Sequence, residues 1–215
     1  MTRPRIIIAD DHTLVAGACR QLLEPEFEVV ATVGDGRELL RAAETLKPDV
    51  IIIDIGMPLL NGLDASEQLK KAMPKVKVVF LTMNTDADVA ADAFRRGASA
   101  YLPKTCAADE LKSAVRQVLK GMTYLSHVME AVKDQVGFLI RQDGVLVEQE
   151  HRLTSRQREV LQLLAEGKVM KEVAAILNMA PRTVAFHKYR IMETLGVSSS
   201  AQLVQHAIRY HLIAA

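Results

Sequence analysis

Two short apolar runs end on aspartates, and they constrain this chain more than any other feature. Ile6-Ile7-Ile8-Ala9 runs into Asp10-Asp11, and Val50-Ile51-Ile52-Ile53 runs into Asp54. Neither run alternates with polar residues, so each reads as a strand covered on both faces, the signature of a parallel sheet. Further strands are read at 28–33, 76–82 and 98–102. Helical spacing falls between them at about 13–23, 37–46, 63–72, 86–96 and 109–120. Strands and helices that alternate with short connections predict a doubly wound α/β domain with a five-stranded parallel sheet.

From Leu153 the pattern becomes purely helical, predicting a small all-α module. Thr154 and Gln157 fit a capping box, and Pro181 suits a first helical position. The domains are therefore read as 3–121 and 149–214, with 122–148 as a connector. Within that connector, Val128, Met129, Val132 and Val136 can line a short amphipathic helix, and Phe138-Leu139-Ile140 can pack on a neighbour.

Charge separates the two halves. Residues 151–215 hold nine Lys/Arg against four Asp/Glu, a net of +5, whereas 1–150 hold eighteen against twenty-two, a net of −4. Only the C-terminal part suits a polyanion. Cys19 and Cys106 show no disulfide or metal-knuckle spacing. There is no leader pattern and no apolar run of membrane-spanning length, so a cytoplasmic setting without membrane contact is expected.

In a parallel α/β sheet, ligands bind at the carboxyl ends of the strands. Asp10, Asp11 and Asp54 would converge there, joined by Thr82 at the end of the fourth strand and Lys104 just beyond the fifth. Packed carboxylates need a cation, and hard oxygen donors suit Mg²⁺. Asp54 is read as the nucleophile for a phosphoryl group. Asp10 and Asp11 hold the metal with Asp54, and the backbone carbonyl of Gly56 is a further ligand. Lys104 supplies positive charge and Thr82 a hydroxyl donor. His12 is read as shaping the entrance. Polar loops alone can end strands on aspartate, but not with this whole set. A small phosphohydrolase is the other chemistry for such a pocket; it would want a general base, and no histidine ends a strand.

In the helical module, the segment from Pro181 to Leu195 carries Val184, His187, Ile191 and Leu195 on one stripe. The other face presents Arg182, Ala185, Phe186 and Tyr189, flanked by Lys188 and Arg190. Exposed aromatics among cations fit a helix that enters the major groove. Arg182 and Thr183 at its start suit phosphate, Lys188 and Arg190 suit backbone contacts, and Ala185, Phe186 and Tyr189 are the candidate base readers. A solvated basic face, or a helix-turn-helix that has turned to protein contacts, would share much of this pattern.

The N-terminal motifs Ile8-Ala9-Asp10-Asp11-His12, Asp54-Ile55-Gly56-Met57-Pro58 with Asn61-Gly62, Leu81-Thr82, Gly97-Ala98 and Tyr101-Leu102-Pro103-Lys104 resemble a bacterial response-regulator receiver. The strings Leu153-Thr154-Ser155-Arg156-Gln157-Arg158-Glu159-Val160-Leu161, Lys171-Glu172-Val173-Ala174 and Arg182-Thr183-Val184 resemble a LuxR-type domain. Their union is similar to the NarL/FixJ class. The resemblance implies phosphate taken from a sensor histidine kinase, a switch formed by Thr82 and Tyr101, rearrangement of the face made by the fourth helix, fifth strand and fifth helix, a last helix from Ser199 to Ile213 capped near Ser198, and a homodimer that binds promoter duplex DNA through paired half-sites. It implies no enzyme beyond slow self-dephosphorylation.

Four positions depart from the family pattern. Thr105 stands where many receivers carry proline. Met170, Ala180 and Thr194 replace a usual asparagine, serine cap and lysine, which predicts a reader that holds DNA less tightly. The expected coupling is inhibition relieved by phosphate, with the acidic receiver covering or displacing the basic reader.

Overall fold

The computed structural model describes residues 3–141 and 153–213. The side chains of 138–141, and with them the expected packing of Phe138, Leu139 and Ile140, lie outside the described residues.

The N-terminal unit alternates β1 (Arg5–Ala9), α1 (Thr13–Leu23), β2 (Glu28–Val33), α2 (Gly36–Leu46), β3 (Val50–Ile53), α3 (Gly62–Ala72), β4 (Lys77–Thr82), α4 (Ala87–Arg95), β5 (Ala100–Pro103) and α5 (Ala108–Leu119). With a short sixth strand, β6 (Tyr124–Leu125), all strands pair in parallel, in the order β2-β1-β3-β4-β5-β6. Because side chains alternate across a strand, one apolar run feeds two cores. Ile7, Ile51, Ile53 and Phe80 pack on one face, with Leu39 and Leu69. Ile6, Ile8, Ile52 and Val79 pack on the other, with Leu23, Leu111 and Val115. Each such side chain contributes about 1.5–3 kcal/mol relative to exposure, so the unbroken runs are the main source of the sheet's stability.

The sixth strand was not expected. β6 (Tyr124–Leu125) pairs with β5 and is tied down by α5: the Glu110 carboxylate accepts from Tyr124 Oη, Ser126 Oγ and the His127 N–H at 3.1, 2.8 and 2.8 Å. A 3-10 helix (His127–Val132) and α6 (Lys133–Arg141) follow, and α6 packs against α4. Met129 and Val136 of this stretch are buried in the sheet's own core.

The C-terminal unit is all helical: α7 (Ser155–Ala165), α8 (Met170–Ile176), α9 (Pro181–Leu195) and α10 (Ser200–Arg209). Its smaller core is built on Val160, Leu163, Val173, Leu177, Val184, Ile191 and Leu203. The capping box of Thr154 and Gln157 forms. α10 corrects the expected bounds: Ser199, not Ser198, accepts the capping bond from Gln202, and the helix stops at Arg209 with His211 in a left-handed turn. Among the described residues, no helix is long and apolar enough to cross a membrane.

Candidate functional sites

Register alone brings the first two acids together. Ala9 is paired with Ile53, so Asp10 and Asp54 are the next residues out of adjacent strands. Their backbones stay tied to the sheet through Asp10 N–H to Val33 O and Asp54 N–H to Ala9 O. Both are buried, and ligand atoms of Asp10, Asp11, His12 and Asp54 lie within 4.8 Å of one another. Thr82 is paired with Pro103, so Lys104 leaves β5 toward the same edge. Its Nζ lies 2.8 Å from Asp10 Oδ2 and 2.9 Å from Asp54 Oδ2. Burial works against the lysine's charge, but the two carboxylates outweigh it and hold its pKa above the ordinary range.

Asp54 is further fixed by the Ile55 N–H, which donates to Oδ1 at 2.8 Å. Gly56 stands beside it, where an added Cβ would lie 3.7 Å from Asp54 Oδ2. Gly62 is required for a different reason: a Cβ there would fall 2.1 Å from the Asp54 carbonyl oxygen. Asn61 caps α3 by accepting from the Asp64 N–H. His12 lies against both neighbouring acids, with Nδ1 at 2.8 Å from Asp11 and 3.2 Å from Asp10. This all-oxygen carboxylate set, with one imidazole at its rim, can hold a divalent metal ion.

Thr82 is buried, and its Oγ accepts from the Asn84 N–H at 3.2 Å. The fully buried Tyr101 donates from Oη to the Asn84 carbonyl at 3.0 Å. Burial, reinforced by Asp86 and Asp54, pushes the Tyr101 phenol up. Thr82 and Tyr101 thus meet on one residue of the loop between β4 and α4.

In the helical unit, α9 buries Val184 and Ile191 and turns Phe186 and Tyr189 outward, 62% and 67% exposed. Arg182 and Arg190 are exposed beside them, and Thr183, Ala185 and Lys188 are half-buried. Arg190 pairs with Glu193, and Lys188 Nζ reaches Ser200 Oγ at 3.2 Å. The first residue before α9, Ala180, offers no side-chain cap, nor does Val169 before α8. The candidate reading surface is therefore one contiguous face of one helix.

Comparison with known proteins decides what this pairing is. Residues 6–116 match the response regulator receiver domain, and 151–207 match the bacterial regulatory proteins of the luxR family. The chain is 37% identical over 202 residues to the transcriptional regulatory protein UhpA of Escherichia coli, covering 93% of this chain and 95% of that one. It is 33% identical over 214 residues to the oxygen regulatory protein NreC of Staphylococcus aureus, covering 97% and 99%. The chain belongs to the two-component response regulators. Its receiver is joined to a LuxR-type DNA-binding helix-turn-helix domain in the NarL/FixJ arrangement. Among solved structures it is similar to the Salmonella typhimurium RcsB response regulator, with 26% identity, a TM-score of 0.64 and coverage of 98% and 99%. RcsB bound to a promoter with a phosphomimetic gives 25% identity and a TM-score of 0.61, each chain covered in full.

One part of this response regulator escaped sequence reasoning, the contact between its two domains. Arg158 of α7 reaches Asp64 at 2.7 Å and Glu67 at 2.9 Å, both on α3. Glu159 pairs with Arg37 of α2 at 2.7 Å. Gln162, wholly buried, accepts from the Asn61 N–H at 2.8 Å and donates to the Met57 carbonyl at 3.1 Å. The receiver was expected to cover or displace the reader; its contacts fall on α7 and just past the end of α10, and the aromatic face of α9 stays open. In the sequence the polar residues of α7 carry no sign of a partner; Asp64, Glu67, Arg37 and Asn61 opposite them reveal an interface.

Proposed function

We propose that this response regulator accepts a phosphoryl group on Asp54 and uses that state to control transcription from duplex DNA. The observation that carries this reading is the convergence of Asp54, Asp10 and Lys104 at adjacent strand ends, with Lys104 Nζ within 2.9 Å of both acids. The donor is a sensor histidine kinase. A carboxylate oxygen of Asp54 forms the new O–P bond as the donor's P–N bond breaks, and the imidazole nitrogen leaves with the electron pair. Lys104 balances the arriving oxygens, and the Thr82 hydroxyl turns toward them. Asp10, Asp11, Asp54 and the Gly56 carbonyl would hold Mg²⁺, which screens the clustered negative charge. Tyr101 follows Thr82 through Asn84.

The reader recognises sequence through Ala185, Phe186 and Tyr189 and fixes its register on phosphates through Arg182, Thr183, Lys188 and Arg190. It acts as a homodimer on paired half-sites, in the cytoplasm. The alternative of an independent phosphohydrolase would leave the helix-turn-helix domain without a role.

Incubating the full chain with acetyl phosphate and Mg²⁺ tests this reading by intact mass and peptide mapping. One phosphoryl group is expected on Asp54, base-labile, and none on Asp54→Asn. Sustained turnover of phosphomonoesters without a stable phosphorylated form would favour the hydrolase reading instead.

A further inference from the structure

Hydrogen-bonded base reading uses forked side chains such as arginine, asparagine and glutamine. Between Arg182 and Arg190, α9 carries none of them. At about 100° per residue, Arg182, Phe186, Tyr189 and Glu193 share one stripe, and all four are exposed. Arg182 and Glu193 stand about 16 Å apart along the axis, so the middle of the stripe belongs to the two rings. Arg190 lies about 70° to one side, its guanidinium on Glu193 at 2.7 Å. Lys188 lies off the stripe, half-buried, with Nζ 3.2 Å from Ser200 Oγ. Ala185, on the flank opposite Arg190, adds only a methyl group.

The two rings are held ready for contact. Val184 and Ile191, on the opposite side of the helix, are wholly buried, so the core fixes which way the rings face. The His187 ring stands at 67° to that of Phe186, with centroids 5.9 Å apart, and braces it. The Tyr189 hydroxyl can donate or accept, so it does not tell one polar base edge from another. Ala180 gives α9 no side-chain cap, which leaves that end of the helix open to a phosphate. The carboxylate of Glu193 marks the other end as the one turned away from phosphate.

The chemistry of the groove decides what such a stripe can recognise. Guanine, adenine and cytosine present donors and acceptors in the major groove, whereas thymine adds a methyl group. Rings set over a G·C pair would strip water from its polar edges and return no hydrogen bond, which is unfavourable. Over a T·A pair the same rings bury the methyl. Specificity then comes from the difference between the two cases.

We propose that Phe186 and Tyr189 read thymine methyl groups, so that each half-site of the DNA this chain selects is centred on thymine. This rests on the reading of α9 as the helix that enters the groove. Arg182, Lys188 and Arg190 supply attraction to phosphate and set the register, and the rings choose the sequence.

The test uses the full chain, with and without acetyl phosphate and Mg²⁺, to select duplexes from a random pool. Each thymine of the selected site is then replaced in turn by deoxyuridine, which deletes one methyl group and leaves base pairing as it was. At one or two thymines per half-site the change is expected to weaken binding about fourfold, the effect of exposing one CH₂-sized group. Phe186→Ala and Tyr189→Ala are each expected to weaken binding to the thymine duplex and to become indifferent to deoxyuridine at the position the lost ring covers. Both side chains are exposed, so the reader's core is kept, and neither is charged, so the slope of affinity against salt is expected to match the parent's. A selected site that tolerates deoxyuridine at every thymine would overturn the proposal. So would a methyl dependence that both alanine variants retain in full. A chain that enriches no duplex under either condition would instead defeat the reading of α9 as a DNA helix, and the proposal with it.

Discussion

Replacing Lys104 by methionine isolates the electrostatics of the pocket. The lysine is the cation 2.8 and 2.9 Å from two carboxylates that are only 5% and 6% exposed, Asp10 and Asp54. Methionine keeps most of the apolar stem and deletes the charge. At the 4.8 Å limit of the cluster, and with an effective dielectric constant near 20, the two bare carboxylates repel by about 3 kcal/mol. Breaking a buried ion pair costs about 3–5 kcal/mol. The lower figure is appropriate here, because Asp54 keeps the Ile55 N–H and Asp10 keeps the His12 N–H. The slowest amides of β1 and β3 exchange only when the sheet opens, so their hydrogen exchange reads this loss. In chelator, Lys104→Met is expected to exchange about 100-fold faster there than the parent, equivalent to about 3 kcal/mol. Mg²⁺ in excess is expected to recover part of that deficit, because binding to the folded state alone stabilises it. A change below about 1 kcal/mol in chelator, or a deficit equal with and without the metal, would refute the charge argument.

Gly62→Ala drives a Cβ into the Asp54 carbonyl, which is backbone and cannot swing aside; a loss of about 3 kcal/mol or more is expected in chemical denaturation, beyond ordinary overpacking. Ala180→Ser restores a cap that α9 lacks, and should raise the reader's melting transition by an amount equivalent to about 1 kcal/mol. Burial raises the pKa of Glu110, but its bonds from His127, Ser126 and Tyr124 outweigh that and hold it below its ordinary value of 4.5. A depressed carboxylate contributes stability that is complete above its unfolded pKa and lost as pH falls through the folded one. Protection of the Ser126 amide, relative to its intrinsic exchange rate at each pH, should therefore fall below about pH 4.5, and Glu110→Gln should flatten that acid response.

The sheet and the pocket were legible because their signals are local. An unbroken apolar run announces a strand buried on both faces, and the aspartate that ends it falls on the carboxyl edge by topology alone. The open face of α9 was legible for the opposite reason: Phe186 and Tyr189 among cations have no place in a core. What stayed hidden depends on pairs of distant residues. β6 is two residues long and owes its place to Glu110, fourteen or more positions earlier. Arg158, Glu159 and Gln162 are ordinary polar residues on a helix until Asp64, Arg37 and Asn61 face them. The left-handed turn at Leu59 has no sequence signal, since glycine or asparagine would mark such a turn and leucine does not.

The central claim is that phosphate on Asp54 sets how this chain engages duplex DNA. A duplex selected from a random pool should be titrated with the full chain, with and without acetyl phosphate and Mg²⁺, while sedimentation reports the stoichiometry of the complex. The account predicts that the loaded chain binds as a pair, about tenfold tighter or more, and that Asp54→Asn stays at the unloaded affinity whatever is added. The same affinity and stoichiometry for loaded, unloaded and Asp54→Asn chains would contradict it.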